Sequence, residues 1–337
     1  MNRRITAIGL ALALCLLTAC ASKRSGTDEA RTRTVMAMDT VMNLTLYGGG
    51  DGALDALEDE IERLDASLAR GTEGSAVYRL NALGAVNDAA VAYLLQESAR
   101  IAAATDGAFD PTVAPVLELW GFGSGASEHR VPTEEELSAA LAEVGIGNVH
   151  IEGAQAALET GAVDLGGIAK GWCAERLSEL CAANGAESAV LDLGGDVALV
   201  GEKPGGALWR VAIRDPEGGY LGILEAADCC IMTSGVYERW FEENGVRYHH
   251  IIDPATGRPA DSGLVSATVI CTDGVWADAL ATALCVLGEE RAAALQKDCP
   301  VPFECILVTA DGRVLVSDGL ADRFEPEEND YVTERLS

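Results

Sequence analysis

The chain has 337 residues, 53 acidic and 24 basic side chains and a formal charge of −29. That balance argues against nucleic acid as a partner and against electrostatic attraction to anionic lipid. The length allows a large core in one or two domains. A phosphate-rich ligand would need local help on so negative a body, from a metal ion or from backbone N–H groups.

Arg3 and Arg4 precede an almost wholly apolar run over 5–17, too short to span a bilayer comfortably. Leu17-Thr18-Ala19-Cys20 follows and resembles the lipobox of bacterial lipoproteins. The resemblance implies cleavage before Cys20 and acylation of that cysteine. Residues 1–19 are thus expected to be a lipoprotein signal peptide, and 20–34 a polar, lipidated tether without periodicity. Signal removal takes away only Arg3 and Arg4, so the mature chain is more negative still. The expected location is the extracytoplasmic face of the cell membrane, anchored by lipid at Cys20. The folded domain is expected over 35–324, with a loose acidic tail at 325–337.

Eight further cysteines remain after Cys15 leaves with the signal and Cys20 takes lipid. An even number permits disulfides outside the cytoplasm, but no zinc-type CxxC pair exists. Small buried hydrophobes is the expectation for most of them.

In chain order, 35–47 alternates as a strand with Met42, Leu44 and Leu46 on one face. Leu54, Leu57, Ile61, Leu64 and Leu68 follow the 3-4-3-4 spacing of an amphipathic helix. A second helix is expected over 87–105. Thr133 with Glu136 makes a capping box for a third, to about Val144. Residues 169–184 read as a helix closed by Gly185. Strand-like runs follow at 188–193, 196–200, 209–214, 221–226, 229–233, 247–252 and 264–271. A helix near 275–287 ends at Gly288, and 304–318 suggests a hairpin around Asp311-Gly312. Strands and helices are segregated, which argues for α+β over a doubly wound sheet.

The chemistry-bearing segments are short. Asp278 and Thr282 lie four apart in Trp276-Ala-Asp-Ala-Leu-Ala-Thr282, so a carboxylate and a hydroxyl share one helix face. Hard cations such as Mg²⁺ prefer oxygen ligands of this kind and take few carboxylates from the protein. An Asp near a helix N-terminus with a Thr bonding back to a carbonyl would explain the same pair. Asp164-Leu-Gly-Gly-Ile-Ala-Lys170-Gly171 runs into a helix, where glycines let backbone N–H groups approach an anion, or simply make a tight turn. Asp192-Leu-Gly-Gly-Asp196 reads as a hairpin turn. Gly107-Ala-Phe-Asp-Pro-Thr112 and Leu119-Trp-Gly-Phe-Gly123 would line a pocket for a flat heterocycle or form a packed loop. Thr233-Ser-Gly-Val-Tyr237 and Tyr248-His-His-Ile-Ile-Asp-Pro-Ala-Thr-Gly257 add polar groups at strand ends.

In series, GAFDPT, LWGFG, DLGGIAKG, DLGGD, TSGVYE, HIIDPATG and ADALATA resemble the ApbE family, the FAD:protein FMN transferases, over about residues 35–320. The resemblance implies a single α+β, T-fold-related domain with mixed and antiparallel sheets, flanking helices and an FAD site in a cleft between two lobes. It implies Mg²⁺-dependent transfer of the FMN half of FAD to a Ser or Thr hydroxyl, with AMP leaving. Its partners would be FAD and exported flavoproteins carrying a Ser/Thr-Gly-Ala-Ser/Thr motif, such as redox-pump subunits and FMN-binding-domain proteins. Asp278, Thr282 and the backbone of Gly167 match the metal ligands; Ala281 stands where some members have a second Asp. Met38, Ala108, Phe109, Asp110, Asp164, Lys170 and Ile252 match FAD contacts. Many members have Gly at the position of Asp39. Tyr78 is the candidate to cover the adenine, and His250 the candidate base for the incoming hydroxyl. Ser124-Gly-Ala-Ser127 resembles the core of the acceptor motif, but Gly121 stands where its acidic residue would be, so chance is the reading adopted. An FAD pyrophosphatase and a non-catalytic FAD carrier are the alternatives.

Overall fold

The structure, a computed structural model, describes residues 29–123, 128–328 and 330–336. The signal segment, Cys20 and residues 124–127 lie outside the described residues. Among the described residues nine strands make the central sheet: β1 (Ala30–Ala37), β2 (Thr40–Gly48), β3 (Ala186–Asp192), β4 (Val197–Val200), β5 (Cys229–Gly235), β6 (Leu264–Cys271), β7 (Glu304–Thr309), β8 (Arg313–Val316) and β9 (Val332–Arg335). Their spatial order is their chain order, and every neighbouring pair is antiparallel except β8 with β9. Such a meander needs no βαβ crossover, which is why strands and helices are segregated along the chain.

The sheet is covered on both faces. Among the described residues seven α-helices form: α1 (Ala53–Leu68), α2 (Ala76–Leu83), α3 (Ala89–Ala104), α4 (Ala114–Trp120), α5 (Glu134–Leu141), α6 (Ala169–Ala183) and α7 (Gly274–Asp298). Leu57, Ile61 and Leu64 of α1 join Met42, Leu44 and Leu46 of β2 and the apolar residues of α6 and α7 in the main core. The opposite face packs on a small sheet of Trp209–Arg214, Tyr220–Ala226 and Phe324–Pro326. Strand periodicity sorts β5 between the two cores: Cys230 and Met232 face the helices, Cys229 and Ile231 the small sheet. All eight described cysteines are free thiols, seven of them buried.

Several expectations change. The run over 35–47 is a hairpin of β1 and β2, turned by Met38 and Asp39 at φ 49° and 58°. Two consecutive left-handed residues fit the two-residue turn that matches strand twist. The helix of 275–287 is interrupted at Gly288 (φ 77°, ψ 178°), beside Ser262, and resumes to Asp298. The run over 247–252 divides into a hairpin arm, Val246–His249 paired with Trp240–Glu243, and a short strand, Ile252–Asp253. The tail at 325–337 is not loose: Phe324–Pro326 completes the small sheet, β9 completes the large one and Leu336 is buried. Edge pairing uses main-chain groups, so an acidic segment can pair while its side chains stay in water. Likewise β1 begins at Ala30, inside the expected tether.

Candidate functional site

The site forms where α6 and α7 cross. Asp273 caps α7 by accepting the Trp276 N–H. The helices meet glycine to glycine: a Cβ on Gly171 would lie 2.0 Å from the Gly274 carbonyl oxygen and 2.7 Å from the Asp278 Cβ. That approach lets Asp278 Oδ2 accept the Gly171 N–H at 2.8 Å. Asp278 is 5% exposed. Burial pushes its carboxyl up to about 7, against the pull of Lys170 and with a further push from Asp196.

Lys170 is the electrostatic hub. Burial alone would lower its ammonium, but Asp196 and Asp278 outweigh it and hold Lys170 above its ordinary value. Lys170 ion-pairs with buried Asp196, whose other oxygen accepts the Thr233 N–H at 2.8 Å. Glu238 also lies in the field of Lys170, and burial raises its carboxyl.

Thr282 stands one turn beyond Asp278, its hydroxyl 3.0 Å from that of Ser234. A Cβ on Gly167 would lie 3.4 Å from Thr282 Oγ1 and 3.3 Å from a ring carbon of Phe109. The GAFDPT, DLGGIAKG, TSGVYE and ADALATA segments therefore converge. Any side chain at 167 would narrow the space between the hydroxyl and the ring. Among the described residues no group of three His, Cys, Asp or Glu side chains is placed to hold a metal. One carboxylate, one hydroxyl and an adjacent glycine backbone make an oxygen-only set. It suits a small hard cation whose remaining ligands come from water and phosphate.

The other expected site residues divide. Asp164 accepts the Gly166 N–H at 2.8 Å and pairs with Arg70 at 3.1 Å, which fixes the glycine turn. Asp110 spends its carboxylate on structure: it accepts from the Thr112 N–H, the Thr112 hydroxyl and the Ile146 N–H. Ala108 is buried beside Phe109. Met38 is half-buried on the β1–β2 turn, its N–H donating to Asp65 at 3.1 Å. The turn reaches the DLGGD segment, since Thr40 lies against Gly194. Tyr78 stands in the first turn of α2 with 38% of its surface exposed. Ile252 is buried with Trp120 and Phe122, so the LWGFG segment is a packed cluster in which the Trp120 indole donates to the Gly257 carbonyl.

His250 Nδ1 lies 3.3 Å from the Arg239 carbonyl oxygen. A carbonyl only accepts, so Nδ1 carries the proton and Nε2 keeps its lone pair. Burial, then the Arg239 guanidinium, lower the imidazole to about 4, so it is neutral at pH 7.

Sequence reasoning misses Asp196, Ser234 and Arg70. Asp196 stands at the end of a run that reads as a turn. Ser234 is in phase with Cys230 and Met232, and that alternation is the one signal placing its hydroxyl on the helix side. Nothing local marks Arg70.

The ApbE family model matches residues 38–307. A Vibrio cholerae FAD:protein FMN transferase is 41% identical over 65% of this chain and 67% of its own. The Treponema pallidum FAD:protein FMN transferase is 32% identical over 96% of each chain. The crystal structure of the ApbE protein from Thermotoga maritima superposes with a TM-score of 0.82 at 31% identity, covering 88% of this chain and all of its own. The flavin transferase ApbE from Vibrio cholerae gives a TM-score of 0.78 at 32% identity, over 88% of this chain and 99% of its own. With a family match over most of its length and relatives alike in sequence and fold, the chain belongs to the ApbE family.

Proposed function

We propose that the protein transfers the FMN half of FAD to a Ser or Thr hydroxyl of an acceptor protein, releasing AMP. The observation that carries this reading is the convergence of Gly167, Phe109, Thr282 and Asp278 beside the Lys170–Asp196 pair. It puts oxygen donors, a cation and an aromatic face around one small space. The names of the relatives support the same donor, product and class of acceptor.

Asp278, Thr282 and the Gly167 backbone would hold Mg²⁺, which supplies charge neutralisation to the pyrophosphate oxygens. Lys170 adds a fixed positive charge nearby, and Asp196 holds that ammonium in place. Met38, Ala108, Phe109, Asp164 and Ile252 would position FAD. Asp110 would act through its main chain, because its carboxylate is engaged. His250 Nε2 takes the proton of the acceptor hydroxyl. The acceptor oxygen forms a bond to the FMN phosphorus as the phosphorus–oxygen bond to AMP breaks. The acceptor keeps a phosphoester and AMP leaves with the bridging oxygen. The reading includes a lipid anchor at Cys20 on the outer face of the cell membrane.

The test mixes the protein, FAD and Mg²⁺ with an acceptor bearing an Asp-x-x-Ser-Gly-Ala-Thr segment. The acceptor should gain the mass of FMN less water, with one AMP per adduct. FMN in place of FAD should give no adduct. Free FMN and AMP without an adduct would show a pyrophosphatase, and intact bound FAD would show a carrier.

A further inference from the structure

A cavity of about 220 Å³ lies between the Asp192–Val197 segment of the central sheet and the strand Trp209–Arg214. Four consecutive residues of that strand, Val211 to Arg214, line it. Side chains on a strand alternate between faces, and Val211 and Ile213 turn into the second core. A cavity bounded by all four therefore runs along the main-chain edge of the strand, not over one face. Trp209–Arg214 is an edge strand: among the described residues it pairs only with Tyr220–Ala226 in its three-stranded sheet. Its outer N–H and C=O groups are the kind that take up another extended chain.

The facing wall holds Asp196, Thr233 and Glu238. Asp196 is the partner of Lys170, whose ammonium also lies in the field of Asp278, so one ion pair links this cavity to the proposed site. At the inner end of the edge, Arg214 lies over the Tyr237 ring at 5.3 Å and has no ion-pair partner among the described residues. Glu238 lies in its field but makes no ion-pair contact with it, so the guanidinium N–H groups can meet a ligand's carbonyl or carboxylate.

We propose that this cavity receives an extended segment of the acceptor polypeptide. The segment pairs as an added strand along Trp209–Arg214, and Arg214 holds one of its carbonyl or carboxylate oxygens. Its hydroxyl-bearing residue is thereby led past Asp196 toward Lys170. The inference rests on the transferase reading above, because that chemistry requires a polypeptide to enter and the edge has the geometry to align one.

The experiment uses the full chain, FAD, Mg²⁺ and a synthetic peptide containing Asp-x-x-Ser-Gly-Ala-Thr. Ala212→Trp and Arg214→Ala both change exposed positions, so neither disturbs the core. Each should raise the KM for the peptide about tenfold or more, a loss equal to one or two main-chain hydrogen bonds. The Kd for FAD should stay at the wild-type value. Peptides carrying a single backbone N-methyl group give the sharper readout. Strand pairing predicts that methylation at alternate residues blocks transfer while methylation between them does not. An unchanged peptide KM in both variants, or N-methyl effects without alternation, would overturn the inference and leave the transferase reading intact. Weaker FAD binding by Arg214→Ala would assign the cavity to the nucleotide and also overturn it. Failure of the wild-type protein to form any adduct would remove the transferase reading itself and this inference with it.

Discussion

At Asp278 a carboxylate is buried at a helix crossing and answers to two neighbours, the Gly171 N–H and the Lys170 ammonium. Asp278→Asn keeps the size and an oxygen that can accept from Gly171, and removes only the charge. The fold should therefore survive while Mg²⁺-dependent transfer falls by about two to three decades, roughly 3–4 kcal/mol of barrier. Transfer rates at limiting Mg²⁺, with a melting curve beside them, check this; a stable variant that keeps its rate would put the metal elsewhere. His250 makes a separate claim. His250→Ala should slow transfer about 10²–10⁴-fold with FAD binding kept, the usual contribution of a general base. Its folded imidazole titrates near 4, below the 6.5 of an ordinary histidine, so the unfolded chain binds the extra proton first as pH falls. The stability from this neutral group is complete above about 6.5 and is lost progressively toward 4. Urea denaturation across that window should show a gap between wild type and His250→Ala that closes as pH falls. Asp278, Thr282, Lys170 and His250 can be singled out as candidates from the sequence because each sits in a short patterned segment. Asp196 and Ser234 cannot, because their roles exist only once β4 and β5 lie beside α6 and α7.

Elements decide which glycines matter. Gly171 and Gly167 stand in one segment and would be ranked together on sequence, yet their surroundings differ. A methyl group on Gly171 would collide with the Gly274 backbone at 2.0 Å, where neither helix can yield without moving the other. Gly171→Ala should destabilise the fold by about 1–3 kcal/mol or more, the usual cost of overpacking a tight core. A methyl group on Gly167 meets only the Phe109 ring and the Thr282 hydroxyl, at 3.3 and 3.4 Å. Gly167→Ala should melt near wild type and lose FAD and Mg²⁺ binding instead. Thermal denaturation and FAD titration on the two variants separate these outcomes, and equal melting points would contradict the assignment. The helices are legible because their periodicity is strong, as in α1, and because caps such as Thr133 with Glu136 are local. The β1–β2 turn is not, since Met38 and Asp39 carry none of the usual glycine signal for left-handed backbone. The acidic tail reads as solvated because its pairing is through the main chain, which composition does not reveal.

For the whole molecule the question is what could keep it at a membrane. With a net charge of −29 an anionic bilayer repels it, and no helix among the described residues is long and apolar enough to cross one. The attachment proposed above is at Leu17-Thr18-Ala19-Cys20, by acyl chains on Cys20. Two or more chains bind far more firmly than one, since each buried methylene adds about 0.8 kcal/mol. Attachment of this kind owes nothing to charge. The wild-type protein should therefore stay with membranes through a high-salt wash and leave only with detergent. Cys20→Ser should abolish labelling by a fatty-acid probe and move the protein to the soluble fraction, with FMN transfer per molecule unchanged because the site lies far along the chain among α6, α7 and β5. Equal labelling of both forms would refute acylation at Cys20. Release of the wild-type protein by salt alone would show that charge, against the sign of the whole chain, is what holds it.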